Sequence, residues 1–180
     1  MLMEVGQRNK LMEKIKTITE LSHIIDSLKK KEKVIGLITG VFDVLHFEHI
    51  ELLSFAKKKV DVLIVGVESD KNVKLFKGEK RPIFDFNKRS FVLSRIDYVD
   101  FIFKIPDIKK DKLTHPYYPE FYNSLTKKIK ADILITNISQ DSLWKEKKQR
   151  AKELRIKFIG YNKKSRTSSS RIISQIKRNG

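Results

Sequence analysis

Five short apolar runs, at residues 34–39, 60–67, 99–105, 131–136 and 156–161, alternate with stretches of helical character, and this alternation constrains the chain most. The run from Val62 to Val67 has no polar face at all. A strand that is apolar on both sides must be covered on both sides, as parallel strands are between two layers of helix. Repeated strand–helix–strand units with right-handed crossovers then wind the sheet in both directions.

The expected fold class is α/β, a Rossmann-like doubly wound sheet of about five parallel strands with helices on both faces. Residues 17–30 read as an amphipathic helix: Thr17 and Glu20 have capping-box spacing, and Leu21, Ile24, Ile25 and Leu28 follow at helical intervals. Ile50, Leu52, Leu53 and Ala56 mark a second helix. Asp85 can cap a third, ending near Arg95. Others are expected up to Lys130, over 141–155 and from Ser168 onward. Residues 68–84, polar and carrying Gly78 and Pro82, read as a long functional loop. Residues 106–119, with three prolines, Tyr117 and Tyr118, read as irregular. Residues 1–16 form an expected N-terminal arm, and 17–180 a single domain.

Lys and Arg number 39 against 22 Asp and Glu, a net charge of +17. The lysines are spread along the chain, which suits a solvated surface or attraction to a polyanion. No nucleic-acid module is legible, and aromatics do not interleave with the basic runs, so nucleic acid is not the expected partner. The absence of cysteine excludes disulfides, thiolate zinc sites and thiol nucleophiles. No apolar run reaches the length of about 18 residues that a membrane helix needs. The charged N-terminus lacks a signal peptide's apolar core, and the expected setting is cytoplasmic without a membrane.

Three polar segments follow strand ends and would meet where ligands bind in such sheets, beyond the carboxyl ends at the reversal of strand order. The first, Gly40 to His49, carries His46 and His49 where a strand passes into a helix. Free N–H groups at a helix start suit phosphate, and imidazole donors there suit the charge of a phosphoryl-transfer transition state. Their spacing is that of neither common zinc-protease motif, so no metal site is expected. The second segment, Lys74 to Pro82 with Arg89 beyond it, supplies cations. The third, Ser168-Ser169-Ser170-Arg171, places hydroxyls at a helix start.

This set resembles the HxGH nucleotidyltransferase superfamily, in particular glycerol-3-phosphate cytidylyltransferases and the adenylyltransferase domain of ADP-heptose synthases. The resemblance runs from about Lys14 to Ile176. It rests on GVFDVLHFEH at 40–49, KGEKRPIFDFNKR ending at Arg89, YVDFIF after it, and SSSRII at 168–173. The middle stretch and the helix before strand one are closer to the heptose-synthase branch. The resemblance implies transfer of a nucleoside monophosphate from ATP or CTP to a small sugar- or polyol-phosphate, with Mg2+ on the triphosphate, release of pyrophosphate, and a possible homodimer. It implies that His46 and His49 stabilise the α-phosphate, that Lys77 neutralises phosphate charge, and that Arg89 holds the triphosphate or the acceptor phosphate. Val41 and Phe42 would offer backbone N–H groups, Asp43 would orient the loop or the second substrate, and Ser168, Ser169 and Ser170 would bind the β- and γ-phosphates.

The chain departs from the pattern in two places. Glu48 stands between the histidines where the family has Gly, and Thr136-Asn137-Ile138-Ser139 stands where it has Gly-Asp. These changes leave open a nucleotide-binding or regulatory protein on the same fold, without ordinary turnover. The family's cation before the last helix falls on Lys163, Lys164 or Arg166.

Overall fold

A computed structural model describes residues 13–108, 118–163 and 167–179. In chain order the elements are β1 (Ile15–Lys16), α1 (Ile18–Lys30), β2 (Ile35–Gly40), α2 (Phe47–Lys57), β3 (Val62–Val67), α3 (Asp70–Lys77) and α4 (Phe86–Ser94). They continue with β4 (Phe101–Lys104), α5 (Pro119–Lys128), β5 (Ile133–Asn137), α6 (Trp144–Glu153), β6 (Lys157–Tyr161) and α7 (Ser169–Asn179). All strand pairs are parallel, and the order across the sheet is β1-β4-β3-β2-β5-β6.

The strands are apolar on both sides because both sides are buried. Val62 and Ile64 of β3 join a core with Leu21 and Ile25 of α1 and Tyr122 and Leu125 of α5. The alternate residues Leu63, Val65 and Val67 join a second core with Leu52, Leu53 and Ala56 of α2 and Leu93 of α4. Gly66 lets Phe103 of β4 lie across β3, since a Cβ there would stand 2.8 Å from its ring. Among the described residues no helix is long and apolar enough to cross a membrane.

The capping box on α1 forms as expected. The Thr17 side-chain oxygen accepts from the Glu20 N–H at 3.2 Å, and the Glu20 carboxylate accepts from the Thr17 N–H at 2.7 Å. Asp85 likewise caps α4, accepting from the Lys88 N–H at 2.9 Å.

Two elements were not legible. Of the expected arm, residues 1–12 lie outside the described residues, and Ile15 and Lys16 pair with Ile102 and Phe103 as an edge strand. Two residues are too few for a periodic signal. The expected loop at 68–84 contains the helix α3, capped by the Ser69 side chain, which accepts from the Asn72 N–H at 3.1 Å. α3 is eight residues long and buries only Asn72 and Val73, too short an apolar face to stand out from a polar loop. Its anchor is polar: the Asn72 amide donates to Glu68 and to the Pro106 carbonyl, each at 3.0 Å, and accepts from the Ile108 N–H at 2.9 Å. Most of 106–119, including His115 and Tyr117, lies outside the described residues.

From β2 the chain builds β3 and β4 to one side, then returns to lay β5 and β6 on the other. The reversal falls between β2 and β5. Their carboxyl ends part there and leave a crevice.

Candidate active site

A cavity of about 340 Å³ opens in that crevice. Its wall includes Thr39 and Gly40 from the end of β2, Thr136 and Asn137 from the end of β5, and the loop residues Val41, Phe42 and Asp43. His49, Lys77 and Ser169 also reach it. Of the residues expected at the site, Val41, Phe42, Asp43, His49, Lys77 and Ser169 therefore converge. His46 stands behind His49, their ring centroids 4.0 Å apart. Ser168, Ser170 and Arg89 do not line the cavity.

Phe42 makes the sharp turn of the loop, with φ at 51°. Its ring joins the second core and packs on His49 at 5.3 Å between centroids. Gly40 leaves room for it, because a Cβ there would stand 3.1 Å from the ring. Asp43, 3% exposed, ties the loop to the segment before α4. It accepts from the Arg81 Nε at 2.6 Å, the Ile83 N–H at 2.8 Å and the Phe84 N–H at 3.0 Å. Burial pushes the Asp43 carboxyl up, but the Phe84, Ile83 and Arg81 donors outweigh it and hold it below the usual carboxylate range.

His46 occupies the N-cap position of α2, and its backbone N–H donates to the His49 Nδ1 at 3.3 Å. With Nδ1 accepting, the proton of a neutral His49 sits on Nε2. Burial, then the neighbouring His46 and Lys77, push its pKa down to about 3. His49 is therefore a neutral donor at physiological pH. Burial also lowers the His46 pKa, against the attraction of Glu48. The His46 Nδ1 and the Arg81 Nη2 are buried without a hydrogen-bond partner among the described residues. Lys77 is exposed as a whole residue, but its ammonium end is crowded. Burial of that end and the nearby Arg81 lower its pKa, while Asp43 and Asp141 oppose the shift.

The His49 shift has a consequence for stability. Between pH about 6.5 and about 3 the unfolded chain binds a proton that the folded ring refuses. Stability should therefore fall with pH across that window, and His49→Gln should flatten the fall. Urea midpoints at pH 7.5 and pH 5, read for both proteins, check this.

Arg89, expected to hold phosphate, is engaged in this structure as a clamp. Its side chain is fully buried. Nε donates to the Phe84 carbonyl at 2.9 Å, one terminal nitrogen to the Val41 carbonyl at 2.5 Å, and the other to the Glu68 carbonyl at 2.7 Å and to Asp70 at 2.6 Å. Those bonds occupy four of its five N–H donors. Ser168 caps α7, its side chain accepting from the Arg171 N–H at 3.2 Å, and Ser170 is exposed. Ser169 donates to the Val44 carbonyl at 2.9 Å, holding the start of α7 against the histidine loop.

The two departures from the family pattern share the cavity wall, which Glu48, Thr136 and Asn137 all line. Glu48, 5% exposed and on the cavity wall, accepts from the Gln140 side-chain amide. The same amide donates to the Thr167 carbonyl at 2.6 Å. The turn after β5 is closed by Asn137, which accepts from the Ser139 N–H at 3.0 Å. A bridge from α2 through Gln140 to the approach of α7 thus starts at the residue that replaces the pattern's first glycine. Lys163 pairs with Glu51 of α2, while Lys164 and Arg166 lie outside the described residues.

The sequence reading missed the inner wall, formed by Glu68, Tyr122, Lys147 and Arg150. Glu68 accepts from the Tyr122 hydroxyl at 2.8 Å, and burial pushes both groups up. Lys147 donates to the Thr39 carbonyl at 2.9 Å and pairs with Asp141 at 2.7 Å. Burial raises the Asp141 pKa, but Lys147 and Thr136 outweigh it. The available signal was the spacing of Lys147 and Arg150, three apart on one face of α6.

Comparison with known proteins identifies the family of the chain. The profile of the cytidylyltransferase-like family matches residues 37–175. "Bifunctional protein HldE" of Geobacter metallireducens is 40% identical over 89 residues, 49% of this chain and 18% of that protein. The same-named protein of Desulfatibacillum aliphaticivorans is 36% identical over 107 residues, 59% of this chain and 22% of that protein. The chain thus spans about a fifth of the length of these relatives. Among solved structures, the lipopolysaccharide core biosynthesis protein of Thermoplasma volcanium superposes with a TM-score of 0.54 at 26% identity, over 75% of this chain and 99% of that one. Pantoate-beta-alanine ligase of Francisella tularensis, at 19% identity and a TM-score of 0.63 over 89% of this chain and 72% of its own, shares the fold. The match from β2 into α7 takes in the histidine loop, the crevice and the serine-bearing helix, and this chain belongs to the cytidylyltransferase-like family.

Proposed function

We propose that the protein is a nucleotidyltransferase that moves a nucleoside monophosphate from ATP or CTP to a small sugar- or polyol-phosphate and releases pyrophosphate. The observation that carries this reading is the neutral His49, backed by His46, at the start of α2 and on the cavity wall. An oxygen of the acceptor phosphate attacks the α-phosphorus, that bond forms as the bond to the β-phosphate oxygen breaks, and pyrophosphate leaves. Neutral imidazole donors and the N–H groups at the helix start oppose the extra charge on the α-phosphate. Lys77 draws the phosphates to the same wall. The protein orients both substrates and needs no covalent intermediate.

Magnesium would arrive on the triphosphate. The wall carboxylates Asp43 and Asp141 have both oxygens engaged, Asp43 by Arg81, Ile83 and Phe84, and Asp141 by Thr136, Lys147 and Leu143. They offer no ready ligand, and phosphate oxygens and water would hold the ion.

The test is pyrophosphate release from ATP or CTP with magnesium and a panel of phosphates, including glycerol 3-phosphate and sugar 1-phosphates. At least one combination should exceed the His46→Ala, His49→Ala protein, and none doing so would remove the reading.

Glu48 favours a second reading, a nucleotide-binding or regulatory protein with little turnover. A carboxylate on the wall of a triphosphate site repels the phosphates. Glu48→Gly is expected to tighten ATP or CTP binding about tenfold, read by calorimetry. Unchanged affinity would mean that the carboxylate acts elsewhere.

A further inference from the structure

Among the described residues Arg150 is a buried cation with no carboxylate in ion-pair contact, although Asp141, Glu153 and Glu68 lie near enough to favour its charge. Arg150 is 6% exposed and lines the cavity. Its Nε donates to Asn123 at 3.2 Å, and its guanidinium lies over the Tyr122 ring, 4.9 Å from the centroid. Among the described residues neither terminal nitrogen has a hydrogen-bond partner, and no carboxylate pairs with it. The acids around it are engaged elsewhere. Glu68 is held by Tyr122 and Asn72, Asp141 by Lys147, and Glu153 by Asn123 and Gln149. Glu146, one helical turn before Arg150, also lines the cavity, and its Oε2 is buried without a donor.

Burial disfavours the charge of the guanidinium, and Asp141, Glu153 and Glu68 oppose that only from beyond contact distance, so an anion at the open fork would add a direct partner. The ring beneath and the bond at Nε fix the plane of the fork. Its two terminal nitrogens are left as parallel donors, the geometry that matches a carboxylate or phosphate. The orphan oxygen of Glu146 asks for the opposite partner, a hydroxyl that donates. A simple packing role for Arg150 would explain the stacking on Tyr122 but not the open fork and the open carboxylate oxygen together.

We propose that the inner wall is the far subsite of the acceptor, where Arg150 binds a second anionic group, carboxylate or phosphate, flanked by a hydroxyl that Glu146 accepts from. The acceptor would then be a phosphorylated polyol or sugar whose end remote from the reacting phosphate is acidic. Placing the reacting phosphate at His49 rests on the transfer reading, whereas the preference for an acidic end is a binding property.

Matched pairs of probes test it on the full chain by calorimetry, with and without a non-hydrolysable triphosphate. 6-Phosphogluconate and sorbitol 6-phosphate differ in a carboxylate, and fructose 1,6-bisphosphate and fructose 6-phosphate in a phosphate. The acidic member of one pair should bind at least about tenfold tighter, and the pair that discriminates identifies the group. Arg150→Gln should bring the ratio close to one by weakening binding of the acidic member. Arg150→Lys keeps the charge without the fork and should cut the ratio at least about threefold. If Arg150→Gln does not fold by thermal melting, Arg150→Lys decides. Equal binding within both pairs, no binding of any probe, or a preference that survives these substitutions overturns the proposal. Absence of pyrophosphate with every acceptor would remove the transfer reading alone and leave a measured preference standing.

Discussion

Alanine at position 49 is expected, on the proposed transfer reaction, to slow turnover by about 10²–10³-fold, the usual effect of deleting one donor aimed at developing negative charge. The Michaelis constant for the triphosphate should change little, because the Nε2–H bond strengthens as the α-phosphate gains charge. The pH profile carries a second signature. A catalytic imidazole with an ordinary pKa would impose a break in rate near pH 6.5, but His49 is held down to about 3 by burial, then by His46 and Lys77. No break from His49 should appear between pH 5 and 8 in the native protein. Single-turnover rates across that range, for native and His49→Ala proteins, separate a neutral donor from an imidazolium. A break that disappears with His49 would show that the ring titrates during the reaction.

Arg89→Ala should give the largest loss of stability, about 3–5 kcal/mol, because each buried acceptor left without its donor costs about 1–3 kcal/mol. The guanidinium joins three backbone carbonyls, from Val41, Glu68 and Phe84, and the Asp70 side chain. Its removal leaves those acceptors unanswered and loosens the histidine loop, the end of β3 and the approach to α4 together. In a chain of this size the melting temperature should fall by about 10 °C or more. Arg89→Lys keeps one charge opposite Asp70 but cannot span the carbonyls, so it should recover only part of the loss. A variant that melts normally yet no longer binds triphosphate would return Arg89 to the role of phosphate ligand.

The comparison of Arg89 with His49 shows how far residue type reaches. Both stand in motifs of the same resemblance. His49 faces the cavity because the strand-to-helix junction that carries it opens there. Arg89 points inward because three carbonyls and Asp70 present themselves to its face of α4. Residue type and spacing announce a cation, and only the neighbours decide what it neutralises. The same holds for the serines: three adjacent hydroxyls divide into a helix cap at Ser168, a loop contact at Ser169 and an exposed side chain at Ser170.

The strands, the capped helices and the histidine junction were legible because local patterns carry them. An apolar run buried on both faces, a threonine three residues before a glutamate, and two imidazoles after a strand depend on neighbours within one turn or one strand. β1, α3, the Glu48–Gln140 bridge and the open fork of Arg150 were not legible, because each depends on groups far apart in the chain. Ile15 finds its partner at Ile102, Asn72 bonds to Pro106 and Ile108, and Glu48 meets Gln140 across 92 positions. Short-range periodicity records which residues must leave water. The crossing of strand order between β2 and β5 alone selects which polar groups share one crevice, and so what that crevice can bind.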